Sequence, residues 1–511
     1  MRKQSLIKGT LILGAAGIVA KAMGILFRWP LIMLIGDEGV GYYQMSYPLY
    51  TFFIAIASGV PIAISKMVSE RNAVGDKSGA VQVLRNAVFL MIILGGGFSA
   101  FLFIFSKQLV DIFRWNEKSY YSLVAISFAP FIISIMTCIR GFFQGMQNMY
   151  PTAVSQIIEQ FGRVCIGVGL AYILLPKGIE YSAGGAAFGA AAGGLLAGTY
   201  LVIKYFKSRN DFTIIKAKRD KNILGKLLHI AIPISLGATA SSIMGLLDSL
   251  LVPTNLYKAG FNSAQVATLF GQLTGKAMVL VSVPLTLSMA LCMSLVPVIS
   301  EANIKGKRDE VISRVNTAVR LSWVIAMPCF LGLYFMAPQI LGLIFPGHAD
   351  GYKILQLLSF TIPFIITSQA STSILQGVGK IYIPVFNLGL GCLVKVIITY
   401  SLVRMPEINI YGAALGSIGG YITASMLNMS AMKRNLKVKI NYYDVLIKPA
   451  FAAILMIISV VFIYMYVYNY TVSNGISTLL SIGVGGIIYI ILIVVFGVFK
   501  YSYVRSRFLK K

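Results

Sequence analysis

Long apolar runs, interrupted by short polar or Gly/Pro-containing breaks, set the pattern of this chain from near its first residues to its end. Fourteen runs of about 20 residues or more can be marked, each long enough to cross a hydrocarbon core as a helix. The first six cover 9–35, 43–65, 82–105, 119–142, 151–175 and 181–205. The next four cover 227–252, 264–298, 315–337 and 354–377, and the last four 382–404, 410–432, 445–468 and 476–499. Backbone polar groups in lipid must bond within the chain, so a spanning segment is a helix or part of a closed barrel. Barrel strands are about 10 residues long, which excludes a barrel. The pattern predicts an all-α, polytopic membrane protein.

The positions of the charges agree with that count. Lys and Arg gather on the cytoplasmic side of membrane proteins, and here every second loop is basic. Lys66, Arg71, Lys77 and Arg85 mark one such loop. A second runs from Lys204 to Lys226, a third holds Lys305, Lys307, Arg308 and Arg314, and a fourth runs from Lys433 to Lys448. The intervening loops are poorer in charge, with 106–118 the one that weakens the alternation. Both termini are therefore expected in the cytoplasm. The basic start (Arg2, Lys3, Lys8) leads into an apolar run that continues past Lys21 to Ile35, as suits a retained first span rather than a cleaved signal.

An internal repeat accompanies this layout. Val60–Ser65 (VPIAIS) recurs as Val296–Ser300 (VPVIS), and Gln144-Gly145, Pro151 and Arg163 recur as Gln376-Gly377, Pro384 and Lys395. Six spans separate equivalent segments, which gives two six-helix lobes of like orientation, with the substrate path expected between them. The expected boundaries are 1–206 for the first lobe, 207–226 for a basic cytoplasmic linker, 227–440 for the second lobe, and 441–511 for two further spans and a basic tail.

Composition narrows the function. The 511 residues are 57% hydrophobic and 12% charged, about half the charge of a soluble domain, with a mean hydropathy of +0.80. A net charge of +27 in a soluble chain would suggest nucleic acid. Confined to short loops, it reads instead as an orientation signal and a contact for anionic lipid headgroups, with no nucleic-acid partner. Cys138, Cys165, Cys292, Cys329 and Cys392 lie in apolar segments without metal spacing, and are expected to be small buried residues. His229 and His348 are isolated, so no metal site is expected.

Ionisable residues inside spans are costly and mark candidate sites. Lys21 and Arg28 lie in the first span, two helical turns and about 10 Å apart on one face. Two cations there call for a water-filled cavity or an anion such as a pyrophosphate, gripped by the Arg fork and the Lys point charge; Arg28 alone has the alternative of reaching the outer interface. Lys276 is placed on the same central cavity or at an outer interface. Asp248, the lone acid of the seventh span, is a partner for one of these cations or a carrier of a coupling ion. Glu159 and Arg163 form an i,i+4 pair that neutralises itself. Lys395, the repeat equivalent of Arg163, has no such acid and is a candidate contact for an anionic headgroup. No catalytic or metal-binding residue is expected, and no cofactor. Coupling to membrane potential, Na⁺ or H⁺ is left open.

Several stretches carry a resemblance: KGTLILGAAG at 8–17, GDEGVG at 36–41, PIAISKMVSE at 61–70, RGFFQGMQNMYPTAVSQIIEQFGR at 140–163, LPKGIEYSAGGA at 175–186, and LTGKAM through LVPVISE from 273 to 301. They resemble the polysaccharide-transporter and lipid II flippase branch of the multidrug/oligosaccharidyl-lipid/polysaccharide flippase superfamily, in order over nearly the whole chain. The resemblance implies alternating access and outward flipping of an undecaprenyl-pyrophosphate-linked peptidoglycan precursor for spore cortex synthesis. It implies a monomer in the bacterial cytoplasmic membrane or the outer forespore membrane, with Lys21, Arg28 and Lys276 in the substrate cavity. Against it stand four alternatives: a flippase for another lipid-linked polysaccharide unit, a cation-coupled multidrug exporter, which would rely on acids within the bundle, a membrane glycosyltransferase, and a non-transporting scaffold. The glycosyltransferase requires an outer carboxylate or metal constellation, and Asp37, Glu38, Asp111, Glu117, Asp350 and Glu407 form no evident one; a scaffold has no reason to keep cations at mid-membrane.

Overall fold

The computed structural model describes residues 6–208, 222–438 and 440–498. The basic segment 209–221, the first five residues and the tail from 499 lie outside them, with most of the expected linker and tail charges. Among the described residues the chain is helical throughout, without strands. Eleven helical runs are long and apolar enough to cross a membrane. The first of these, Ile12–Ala73, holds two of the expected spans in one run. The expected spans 227–252 and 410–432 fall on the helices Ile223–Lys258 and Tyr411–Leu436. Tyr411–Leu436 is not among the eleven, because glycines and serines dilute its apolar character; of Ile223–Lys258 the stretch Ile223–Leu236 is a shorter apolar helix. The chain is thus a multi-pass helical membrane protein, as the pattern predicts.

By packing, the chain divides into two compact units, Met1–Gly271 and Gln272–Lys511. The first begins with α1 (Leu6–Ala57), which bends at Gly36. That residue takes φ 62°, ψ −172°, a combination open essentially to glycine alone. The bend turns one continuous helix into two arms. α2 (Gly59–Ala73) follows, then α3 (Lys77–Ile104), α4 (Ser106–Ile112), α5 (Ser119–Ile126) and α6 (Ala129–Gly145). α7 (Tyr150–Leu174), α8 (Ile179–Lys207), α9 (Ile223–Lys258) and α10 (Ser263–Gly271) complete the unit. Proline at the start of α6 and of α7 lacks only an N–H that has no helical partner there. α7 and α8 pack closely because α8 presents small residues: a Cβ on Gly193 would lie 2.3 Å from the Glu159 carbonyl oxygen. Without a hydrophobic driving force in lipid, such close backbone approach is what holds helices together.

The second unit opens with a π-helical turn, Gln272–Ala277, followed by α11 (Met278–Ile304), α12 (Arg308–Phe335), α13 (Ala337–Ile344) and α14 (Tyr352–Ser359). α15 (Thr361–Gly377), α16 (Tyr382–Leu402) and α17 (Tyr411–Leu436) come next, then α18 (Lys448–Thr471) and α19 (Asn474–Val495). The last two helices pack on α12 and α13, where Tyr489 donates to the Val324 carbonyl at 2.9 Å and Asn474 to that of Gln339 at 3.1 Å.

Helix order and length repeat along the chain. α3 and α12 each have 28 residues, and α6 and α15 each have 17. The turn before α3 recurs before α12 in backbone detail. Gly75 (φ 75°) precedes Asp76 (φ −80°, ψ 73°), and Gly306 (φ 66°) precedes Lys307 (φ −81°, ψ 74°). The repeat read from short motifs is therefore a repeat of helices.

Candidate functional site

Beyond the Gly36 bend, the sequence YYQMSYPLY places Tyr43, Tyr47 and Tyr50 at i, i+4 and i+7 on one face of the second arm of α1. Their rings form a continuous ladder. Tyr43 and Tyr47 stack with centroids 5.3 Å apart, Tyr47 and Tyr50 lie 5.5 Å apart, and Phe27 on the first arm meets Tyr43 at 6.2 Å. An arginine stands at each end. Arg28, on the first arm and 9% exposed, lies over the Tyr43 ring at 5.2 Å and donates through Nη2 to Oε1 of Gln44 at 3.0 Å. Its Nη1 is buried with no hydrogen-bond acceptor, so a buried cation holds an unused donor. Arg163 on α7 donates to the hydroxyls of Tyr50 at 3.1 Å and Tyr47 at 3.4 Å.

Glu159, one turn before Arg163, lies 3.6 Å from it. The carboxylate is closer to Arg140 on α6, at 3.0 Å, and Arg140 Nε also donates to Ser155 Oγ at 2.8 Å. The side chains of all three ions are 11–12% exposed. The i,i+4 pair read from the sequence is thus one half of a three-residue cluster, and Arg140 supplies the nearer half. Arg28 at the other end of the ladder, with this cluster, makes three guanidiniums to one carboxylate, which leaves two positive charges. Buried cations of this kind are served by an anion.

The other sequence candidates lie elsewhere. Lys21 shares the helix with Arg28 but is exposed. Asp248 is buried on α9 in the first unit, and the carbonyl of the next residue, Ser249, accepts from Trp115 Nε1 at 2.6 Å. Lys276 and Lys395 belong to the second unit, and both are 1% exposed. Lys276 projects from the π-helical turn, and its Nζ donates to the main-chain carbonyls of His348 at 2.7 Å and Asp350 at 3.4 Å, over the Phe345 ring. Lys395 sits where α16 meets α17, and a Cβ on Gly416 would lie 3.1 Å from its carbonyl oxygen.

All five cysteines are free, but the expectation that they are buried holds only for Cys138; Cys165 is exposed and the rest intermediate. An apolar span has a face turned away from the bundle, and an uncharged thiol is accommodated there at little cost. Among the described residues no group of three or more His, Cys, Asp or Glu is placed to hold a metal ion. A cavity of about 570 Å³ in the first unit is lined by Lys107, Asp111, Glu117, Lys118, Tyr121 and Glu180. Its carboxylates outnumber its lysines, so it does not compete with the arginine ladder for an anion.

Sequence reading overlooked Arg140, Gln44 and the three tyrosines. The tyrosine spacing was visible; that the ladder ends on arginines from α1 and α7 was not.

Comparison with known proteins bears on these observations. The polysaccharide biosynthesis protein family model matches residues 6–303, and the MatE model matches 233–401. Stage V sporulation protein B of Bacillus subtilis is 29% identical over 99% of this chain and 98% of its own. The lipid II flippase MurJ of the same organism is 24% identical, over 84% of this chain and 83% of its own. Among solved structures, the inward-facing conformation of a multidrug resistance MATE family transporter of the MOP superfamily superposes with a TM-score of 0.71 at 16% identity. It covers 82% of this chain and 94% of that one, a likeness of fold. With more than half of its length matched, the chain belongs to the polysaccharide biosynthesis protein family and is a membrane transporter of the multidrug/oligosaccharidyl-lipid/polysaccharide flippase superfamily, not an enzyme.

Proposed function

We propose that this protein flips an undecaprenyl-pyrophosphate-linked peptidoglycan precursor, lipid II, across the bacterial cytoplasmic membrane by alternating access, in the service of spore cortex synthesis. The observation that carries the reading is the buried Arg28 guanidinium with an unused Nη1 donor, at one end of a phenol ladder whose other end is Arg163. Guanidinium forks match phosphate oxygens, and tyrosine hydroxyls add neutral donors. The net positive charge of the cluster opposes a cationic drug as cargo. Relatives named a lipid II flippase and a sporulation protein support the substrate and the setting.

The polyprenyl tail stays in lipid while the anionic head engages the arginines. Both termini are cytoplasmic in this reading, with lobes over 1–206 and 227–440. A membrane potential negative inside favours outward movement of an uncompensated negative charge by about 2.3 kcal/mol per 100 mV.

The test is a flip assay with fluorescent lipid II in reconstituted vesicles, comparing the wild type with Arg28→Gln and Arg163→Gln. Flipping by the wild type, lost in both folded variants, supports the reading. A wild type that moves no lipid II defeats the substrate assignment, and flipping indifferent to both substitutions defeats the site.

A further inference from the structure

The repeat sets the Arg140 cluster against a natural control. At a spacing of 232 positions, Arg140, Ser155, Glu159 and Arg163 correspond to Thr372, Asn387, Gly391 and Lys395. There the second unit joins its helices with neutral groups. Asn387 on α16 donates to Asn428 on α17 at 2.8 Å, and Asn428 donates to Thr372 on α15 at 3.1 Å. These neutral bonds join the three helices without an acid, and Lys395, the counterpart of Arg163, is the one charge buried at the matching positions. The first unit nonetheless keeps three nearly buried charges at the matching place, a costly arrangement unless the charge itself is used.

The distances say how it is used. The Glu159 carboxylate lies 3.0 Å from Arg140 Nη2 and 3.6 Å from Arg163; neither is a hydrogen bond, and the Coulomb attraction is the stronger at the shorter distance. Arg163 donates instead to the hydroxyls of Tyr47 and Tyr50. The acid next to it in sequence is thus held chiefly by another helix.

Resting on the functional reading above, we propose that Arg140 is a positioning residue. It holds Glu159, assisted by Ser155, and so leaves the Arg163 guanidinium available to a phosphate-type oxyanion at the Tyr47–Tyr50 edge. Without Arg140, Glu159 turns to Arg163 and competes with the ligand from within the same helix.

Two measurements on the full-length protein in detergent test this. The first is binding of undecaprenyl diphosphate to the wild type, Arg140→Gln, Glu159→Gln and the double variant. Arg140→Gln weakens binding about tenfold, the scale of 1.4 kcal/mol of competition, and adding Glu159→Gln restores it to within about threefold of the wild type. A purely structural Arg140 gives no such rescue. An unaffected Arg140→Gln, or a double variant as weak as the single one, overturns the proposal. The second is a pair of thermal double-mutant cycles, which need no ligand. Coupling of Glu159 to Arg140 exceeds its coupling to Arg163; the reverse order overturns the proposal. If the wild type binds no lipid diphosphate while Arg140 dominates the cycles, the functional reading fails and the charge pairing stands.

Discussion

Arg28 donates to Gln44 across the Gly36 bend at 3.0 Å, tying the two arms of one helix together beside the phenol ladder. The bond is possible because Gly36 bends the chain in a conformation that side chains reject. Gly36→Ala meets no steric neighbour, since nothing lies within 4 Å of the added Cβ, so its cost is backbone strain alone. We expect a loss of about 1–3 kcal/mol, read as a lower thermal midpoint in detergent. An unchanged midpoint would show that the bend tolerates a side chain.

The α7–α8 contact offers a sharper contrast. In Gly193→Ala the new Cβ falls 2.3 Å from the Glu159 carbonyl oxygen and 2.9 Å from the Arg163 nitrogen, so α7 and its ions must shift. Gly169, on α7, faces open space. Gly193→Ala is expected to cost about 1–3 kcal/mol, whereas Gly169→Ala keeps at least the wild-type midpoint because alanine is the better helix former. Equal midpoints for the two variants would remove the packing argument.

Lys276 is a buried cation bonded to two main-chain carbonyls of the loop before α14. Lys276→Met keeps an unbranched chain one atom shorter and deletes its donors. Stranded carbonyls of this kind cost about 1–3 kcal/mol, which thermal unfolding in detergent will register. A methionine variant as stable as the wild type would mean that these bonds contribute nothing net.

Asp76 caps α3, accepting from the Gly79 N–H at 2.7 Å and pairing with Arg71 at 2.8 Å. The Gly79 bond, then Arg71, holds its carboxyl below the usual carboxylate range. A carboxyl lowered by folding stabilises above its unfolded pKa, and the stabilisation is lost as pH falls through the folded value. Asp76→Ala should cost about 0.5–2 kcal/mol at pH 7. The gap to the wild type closes as pH drops below about 4. A gap that persists at pH 3 would separate the cap from its charge.

The helices themselves were legible in the sequence because a bilayer leaves the backbone one choice for a long apolar run, though the expected spans 119–142, 264–298 and 354–377 are each divided between successive helices. The repeat was readable from short motifs such as Val60–Ser65 and Val296–Ser300; the structure adds Gly75-Asp76 and Gly306-Lys307, a turn that keeps its left-handed glycine in both copies. Apolarity alone ranks helices unevenly, however. Tyr411–Leu436 is a full helix whose glycines and serines are there for close packing, as the Gly391–Gly420 and Gly416–Lys395 approaches show.

Charge partnerships were only half legible. Spacing along one helix brought Glu159 and Arg163 together, because residues four apart share a face. No spacing rule reaches from Glu159 to Arg140 or from Arg163 to Tyr50, which lie 113 positions apart in sequence. Spacing likewise put Lys21 and Arg28 on one face, yet one is exposed and the other buried. Periodicity fixes direction around a helix, and a packing neighbour decides what is covered at each level.

By itself, then, the amino-acid order determined an all-helical membrane chain, its repeat and the sign of its buried charges, since solvent, backbone hydrogen bonding and local spacing act within a single segment. Only the tertiary structure decided which cations share an acid, which one is spent on main-chain carbonyls and which keeps a donor in reserve. Those outcomes depend on helices far apart in sequence meeting at a particular height and rotation.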